Sequence, residues 1–251
     1  MVNLNLGQSK ALILAAGRGE RMRPLTDSSP KPLLSVKGKP ILSWHLQALL
    51  RAGHKKVVVN TAWLEEKIVN YYKDQFTGEG DDHPLHIQYS LEGRDFGHAL
   101  ETAGGIVRAL PLLDSVFWVV AGDIFIPGFT FPTHVFERFK SSPYLAHLFL
   151  VPNPPHNPLG DFGLTEDNML LNVTGGDLRP KFTYSSIGIF KKSLFQTPFC
   201  TITAGNDVGT KAALAPVLRA AADKGLISAE LLQTEWTDVG TPQRLEALNL
   251  T

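Results

Sequence analysis

The sequence predicts an α/β fold with a mostly parallel central sheet and helices on both faces. Three observations predict it. Apolar runs without polar alternation, such as "KALILAAG", "KKVVVNT" and "VFWVVAGD", read as strands covered on both sides. Segments of helical periodicity separate them. The order up to Asp123 is β-α-β-α-β-α-β, the pattern of a parallel sheet.

The elements follow in chain order. After "KALILAAG", the segment "PILSWHLQALLRAG" reads as a helix. Pro40 starts it, Ile41, Leu42, Leu46, Leu49 and Leu50 form its apolar stripe, and Gly53 ends it. "KKVVVNT" is a strand and "AWLEEKIVNYYKDQF" a helix whose Trp63, Tyr71 and Tyr72 read as a core face. "TGEGDDHP" is a polar loop, "LHIQYSLE" a strand, "ETAGGIVRALPLL" the start of a helix and "VFWVVAGD" a strand. The second half is more mixed. "YLAHLFLVPNP" is a strand, and "GDFGLTEDNMLLNV" reads as a hairpin around Glu166-Asp167-Asn168. "KFTYSSIGIFKKSLF" is a strand running into a turn, "ALAPVLRAAADKG" a helix and "ISAELLQTEWTDVG" a strand or strand pair. "TPQRLEALNL" is a last helix, with Thr241 at the N-cap and Pro242 at N1. No repeat or linker divides the chain, so residues 10–251 read as one domain, with residues 1–9 as a loose leader.

Composition excludes several classes. With 24 basic and 24 acidic side chains in 251 residues, the chain lacks the positive field of a general nucleic-acid binder, so any anion site must be local. No apolar run reaches the ~18 residues of a membrane span. Cys200 is the sole cysteine, which rules out an intrachain disulfide and suits the cytoplasm. The eight histidines show no metal-ligand spacing and read as structural.

The stretch "GRGERMRPLTDSSPKP" leaves the first strand as a basic loop poor in apolar side chains. Such a loop cannot fill a core, but it can hold an anion. In an open α/β sheet, ligands bind beyond the carboxyl ends of the strands. Gly17 and Gly19 lie there, where glycine lets backbone N–H groups approach an anion. Arg21 and Lys31 add charge, the first as a fork and the second as a point. By itself Gly-x-Gly is compatible with an ordinary turn carrying solvated charges, since it lacks the third glycine of a dinucleotide fingerprint and the Gly-Lys-Ser/Thr of a P-loop.

The longer string "LILAAGRGERMRPLTDSSPKPLLSVKGKPIL" resembles the opening of the sugar-nucleotide pyrophosphorylases, nucleotidyltransferases that join a nucleoside triphosphate to a sugar 1-phosphate. The resemblance continues at Asn60, "ETAGG", "VVAGD" and "WTDVGTPQRL". It implies a Rossmann-like nucleotidyltransferase fold with a sugar-binding second half. "VPNPPHNPLGDFGL" and "FTYSSIGIF" are most similar to a branch that uses UTP and an N-acetylated amino-sugar 1-phosphate bearing a lactyl carboxylate, in bacterial cell-wall recycling. A mannose 1-phosphate guanylyltransferase, a hexose 1-phosphate uridylyl- or thymidylyltransferase, and a non-catalytic nucleotide-sugar-sensing subunit are the alternatives. Arg21, Lys31, Asp123 and Asp238 together favour catalysis over the last.

The resemblance places nucleotide contacts at Ala16, Gly17, Gly19, Glu20, Arg21, Lys31, Thr102, Gly104 and Gly105. It implies Mg²⁺ on Asp123 and Asp238, and sugar contacts at Asp161 and Asn153. Each also has a plainer reading: Asp123 as a turn aspartate, Asp238 as a helix cap, Asp161 as a hairpin residue, Asn153 as a loop-shaper. Ala121 stands where the branch has asparagine, in its N-G-D pattern. The chemistry explains the residue types. Both reactants are anionic and the attacking phosphate oxygen is already deprotonated, so catalysis calls for positioning and charge neutralisation, with no general base.

Overall fold

The computed structural model describes residues 9–78, 83–175 and 177–250. The leader expected at 1–9 lies outside these except for Ser9, whose carbonyl oxygen is 2.8 Å from His54 Nδ1. The centre of the expected polar loop, 79–82, is likewise outside the described residues.

The first half follows the alternation. In order come β1 (Ala11–Ala15), α1 (Ile41–Arg51), β2 (Lys56–Thr61), α2 (Glu65–Tyr72), β3 (Leu85–Leu91), α3 (Glu101–Ala109) and β4 (Val116–Ala121). The second half holds β5 (Ile124–Phe125), α4 (Thr133–Lys140), β6 (Ala146–Val151), β7 (Phe162–Leu164), β8 (Leu170–Leu171), β9 (Lys181–Lys191), α5 (Leu214–Ala222), β10 (Ile227–Leu231), β11 (Thr237–Asp238) and α6 (Pro242–Leu250).

β1 lies between β2 and β4, parallel to both, and β3 continues beyond β2. The chain therefore builds outward from β1 on one side and then returns to its other side. That reversal of strand order opens a crevice between the carboxyl ends of β1 and β4, the usual ligand position in such sheets. β9 runs antiparallel to β4, the β7–β8 hairpin extends one end of β9, and β6 and β10 add on its other edge.

Apolar side chains point alternately to the two faces of the sheet. Ile13, Val57, Val59, Trp118 and Val120 join one core layer, and Leu12, Val58, Phe117 and Val119 the other. Trp118 stacks on Phe136 and Phe149, so α4 is anchored by an aromatic cluster. The sequence pattern did not announce α4. Its buried Val135, Phe136 and Phe139 nevertheless share one face at helical spacing.

The helix expected over "AWLEEKIVNYYKDQF" is shorter in the structure. Leu64 and Lys73 take positive φ values of 47° and 55° at its two ends, and Gln75–Phe76 instead pair with β3 as an antiparallel edge. Trp63 thus sits in a turn and Tyr71 is exposed, leaving Tyr72 as the core residue of the three. The last helix begins as expected: Thr241 Oγ1 accepts the N–H of Arg244 at 3.4 Å, with Pro242 at the first helical position.

Candidate active site

The glycine-containing loop leaves β1 through Ala16 and Gly17. Gly19, at φ 67°, turns it into a short 3₁₀ turn, Glu20–Met22. A Cβ at Gly19 would lie 3.0 Å from Thr26 Cγ2 as well as in a conformation unsuited to an L side chain. Thr26 Oγ1 donates to the Gly19 carbonyl at 2.9 Å, closing the loop on itself. Arg18 is engaged within the protein. It lies 3.6 Å over the Trp63 ring, donates to the Thr26 carbonyl and pairs with Asp27 at 2.9 Å, fastening the loop to the turn before α2.

A cavity of about 300 Å³ opens at the switch in strand order. Ala16, Gly17, Lys31, Thr102 and Asp123 line it, joined by Asn60, Ala121 and Ser186. Five of the residues expected from the sequence are thus brought together. Lys31 is buried, and its Nζ donates to Asp123 Oδ2 at 2.5 Å. The lysine expected on a phosphate therefore holds a carboxylate in this structure.

A small ladder sets the two expected metal-binding residues on neighbouring stretches of backbone. β11 pairs antiparallel with β5, setting Asp238 opposite Ile124, and the Val239 N–H donates to the Asp123 carbonyl at 2.9 Å. Residues 115 positions apart thereby become neighbours. Asp238 Oδ2 accepts from Arg244 Nη1 at 3.0 Å and lies 3.5 Å from His156 Nε2. Burial, with the nearby Arg244 and Arg21 cations, holds the His156 imidazole below its ordinary value. Arg21 is exposed and has no ion-pair partner among the described residues. No group of three or more metal-ligating side chains occurs among the described residues. Two carboxylates on neighbouring stretches of backbone nonetheless suit Mg²⁺, which is bound by one or two carboxylates and keeps waters.

Other expected residues lie elsewhere. Glu20 is exposed beside Arg18, at 3.7 Å. Gly104 and Gly105 are buried inside α3 and do not line the cavity. A Cβ at Gly104 would meet the Thr210 carbonyl at 2.6 Å, and one at Gly105 would meet Glu92 Oε1 at 2.6 Å, so both glycines permit close packing. Asp161 accepts the Tyr184 N–H at 2.9 Å and the Asn157 amide at 3.2 Å. Asn153 donates to the Lys181 carbonyl at 2.9 Å and accepts from Thr183 Oγ1 at 3.0 Å. Both tie the loop after β6 onto β9.

Several residues escaped the sequence reading. Ser186 sits at φ 64° within a bulge of β9, and the Trp236 indole N–H donates to the preceding carbonyl, that of Ser185, at 3.0 Å. Nothing in "TYSSIGI" announces a bulge. His156, expected to be structural, lies beside Asp238, a partner remote in sequence. His45 fits that expectation: it is buried, lies 2.9 Å from the Ile124 carbonyl, and its pKa is lowered to about 4 by desolvation.

Comparison with known proteins bears on this geometry. An N-acetylmuramate alpha-1-phosphate uridylyltransferase from Neisseria meningitidis serogroup B is 44% identical over 241 residues, covering 94% of this chain and 95% of that protein. Among solved structures, a Bacillus anthracis protein crystallised with sucrose superposes with a TM-score of 0.77 at 16% identity, covering 96% of this chain and 94% of that one. The inositol-1-phosphate CTP transferase of T. maritima gives 0.68 at 17% identity, with 96% and 94% covered. These two likenesses speak to the fold alone. The profile of the nucleotidyl transferase family matches residues 10–251, and with the full-length relative this establishes that the chain belongs to the nucleotidyl transferase family.

Proposed function

We propose that this protein transfers a uridylyl group from UTP to N-acetylmuramate 1-phosphate, releasing pyrophosphate and forming UDP-N-acetylmuramate. The observation that carries this reading is the 44% identity to the Neisseria uridylyltransferase over nearly the whole of both chains. The cavity at the switch in strand order, lined by the buried Lys31 and by Asp123, with Asp238 on the neighbouring backbone, supplies groups suited to that chemistry. We further propose that residues 10–251 act as one catalytic domain, working in the cytoplasm. Among the described residues, no helix is long and apolar enough to cross a membrane.

In the reaction, a phosphate oxygen of the sugar 1-phosphate bonds to the α-phosphorus of UTP while the bond from that phosphorus to the bridging oxygen breaks. Pyrophosphate leaves with the electron pair. No proton need be removed from the attacking oxygen. The loop through Ala16 and Gly17 presents backbone to the triphosphate, and Thr102 faces it across the cavity. Lys31 exchanges its carboxylate partner for phosphate oxygens, and Arg21 neutralises the departing pyrophosphate. Asp123 and Asp238 would hold Mg²⁺. When bound, that ion would neutralise phosphate charge and help align the reacting groups. Asp161 and Asn153 shape the sugar side by fixing the loop on β9.

A panel of UTP, GTP and dTTP against the muramate, glucose and mannose 1-phosphates, read by pyrophosphate release, tests the reading. UTP with the muramate phosphate should give the highest kcat/KM. Ala121 lines the cavity and offers no side-chain hydrogen bond to an acceptor. A clear preference for mannose 1-phosphate with GTP would therefore replace this reading with a guanylyltransferase.

A further inference from the structure

Glu92 has no part in the chemistry above, yet it is fully buried. Its carboxylate has no cation within ion-pair distance among the described residues. Its hydrogen-bond partners are Asn60 Nδ2 at 2.7 Å and the backbone N–H of Leu100 at 2.8 Å. Asn60 is also buried, and its Oδ1 accepts the N–H of Ala15 at 2.8 Å. Burying a carboxylate without a countercharge is costly, and an apolar side chain would serve packing better.

One end of this chain of bonds is the backbone of a cavity residue, and the other is the backbone of a residue flanked by two cavity residues. Ala15 lines the cavity and leads into Ala16 and Gly17. Leu100 lies between Ala99 and Glu101, and Ala99, Glu101 and Thr102 form the facing wall. Glu101 takes φ 60°, a conformation that its neighbours must hold in place. Helix α3 also makes room for the bonds. A Cβ at Gly105 would lie 2.6 Å from Glu92 Oε1 and 2.7 Å from Asn60 Nδ2.

We propose that Glu92 and Asn60 are positioning residues that brace the two walls of the cavity against each other and thereby set its affinity for the nucleoside triphosphate. The inference rests on reading that cavity as the nucleotide site. The polarity of the brace runs one way. Glu92 only accepts, and both of its partners donate. A glutamine at 92 must turn its amide N–H₂ toward either Asn60 Nδ2 or the Leu100 N–H, setting donor against donor. Exchanging both residues, Asn60→Asp with Glu92→Gln, restores every bond. Asp at 60 accepts from Ala15 and from the new amide, whose oxygen accepts from Leu100.

The test measures the dissociation constant for UTP by calorimetry, and the KM values for UTP and sugar phosphate. It compares wild type, Glu92→Gln and the double variant at a temperature where circular dichroism shows each to be folded. Glu92→Gln should weaken UTP binding about tenfold, the effect of one unpaired buried donor, and leave the KM for the sugar phosphate near wild type. The double variant should return to within about threefold of wild type. A folded Glu92→Gln protein with wild-type UTP affinity overturns the inference. So does a double variant that fails to fold, or that regains thermal stability without regaining UTP affinity. If Glu92→Gln does not fold, the double variant decides alone. Wild-type protein that does not bind UTP overturns the nucleotide reading and the brace with it, an outcome distinct from equal binding by wild type and variants.

Discussion

Alanine at Gly105 sets two opposing effects against each other in one methyl group. Gly105 lies within α3, where replacing glycine by alanine normally stabilises a helix by about 1 kcal/mol. Here the new Cβ would stand 2.6 Å from Glu92 Oε1 and 2.7 Å from Asn60 Nδ2. Comfortable contact needs about 3.5 Å, so each atom would have to retreat by nearly 1 Å. Glu92 cannot do so cheaply, being fully buried and held on both carboxylate oxygens. The bond between Asn60 and Glu92 gives way instead. A lost hydrogen bond to a buried charged group costs about 1.5–3 kcal/mol and overpacking a further ~1–3, so after the helical gain the net loss is about 1.5–5 kcal/mol. Urea unfolding followed by far-ultraviolet circular dichroism measures it directly. UTP affinity should fall in parallel, because the same bond braces the cavity. A variant as stable as wild type, or more stable by the helical increment, would refute the steric reasoning.

Three further outcomes are expected. Asp123→Asn keeps an acceptor for Lys31 Nζ and should fold normally, yet lose turnover almost completely in a pyrophosphate-release assay; wild-type turnover would remove Asp123 from the chemistry. Arg21→Ala should lower kcat/KM by roughly a hundredfold with an unchanged melting temperature, since the side chain is exposed and without an ion-pair partner among the described residues; a fall in melting temperature with normal specific activity would argue instead for a structural arginine. His45 has a folded pKa lowered from 6.5 to about 4, so its contribution is complete above pH 6.5 and lost as pH falls toward 4. That difference amounts to about 3 kcal/mol, and His45→Gln, which keeps a donor for the Ile124 carbonyl, should flatten this part of the stability profile; an equally steep acid loss in the variant would contradict the assignment.

Much of the architecture was legible in the sequence for local reasons. The apolar runs of β1, β2 and β4 are continuous because both faces of these strands are covered, and burial of that kind leaves no polar alternation. Thr241 and Pro242 mark the start of the last helix through bonds within one turn. Gly17 and Lys31 could be expected at one site because the loop after β1 leaves the carboxyl edge of a parallel sheet, while Ala16, Thr102 and Asp123 were expected there through the family resemblance. α4 was missed because its few buried side chains follow a stretch rich in proline and glycine, which masks the helical period.

Long-range pairing decided the rest. The short β5–β11 ladder brings Asp238 beside Asp123, and it also brings Arg244 and His156 to the same carboxylate. The bulge in β9 that carries Ser186 to the cavity is held from outside its own segment, by Trp236. Gly104 and Gly105 show the same limit in reverse. The family resemblance places them near the nucleotide, and their close neighbours in the structure are Thr210, Glu92 and Asn60, contributed by other parts of the chain. Sequence alone thus determined most of the strands and helices and the basic, glycine-containing character of the loop after β1, which depend on neighbours within a few residues. Only the tertiary structure decided which carboxylate meets which cation and which residues pack closely on Gly104 and Gly105, because those contacts join residues far apart along the chain.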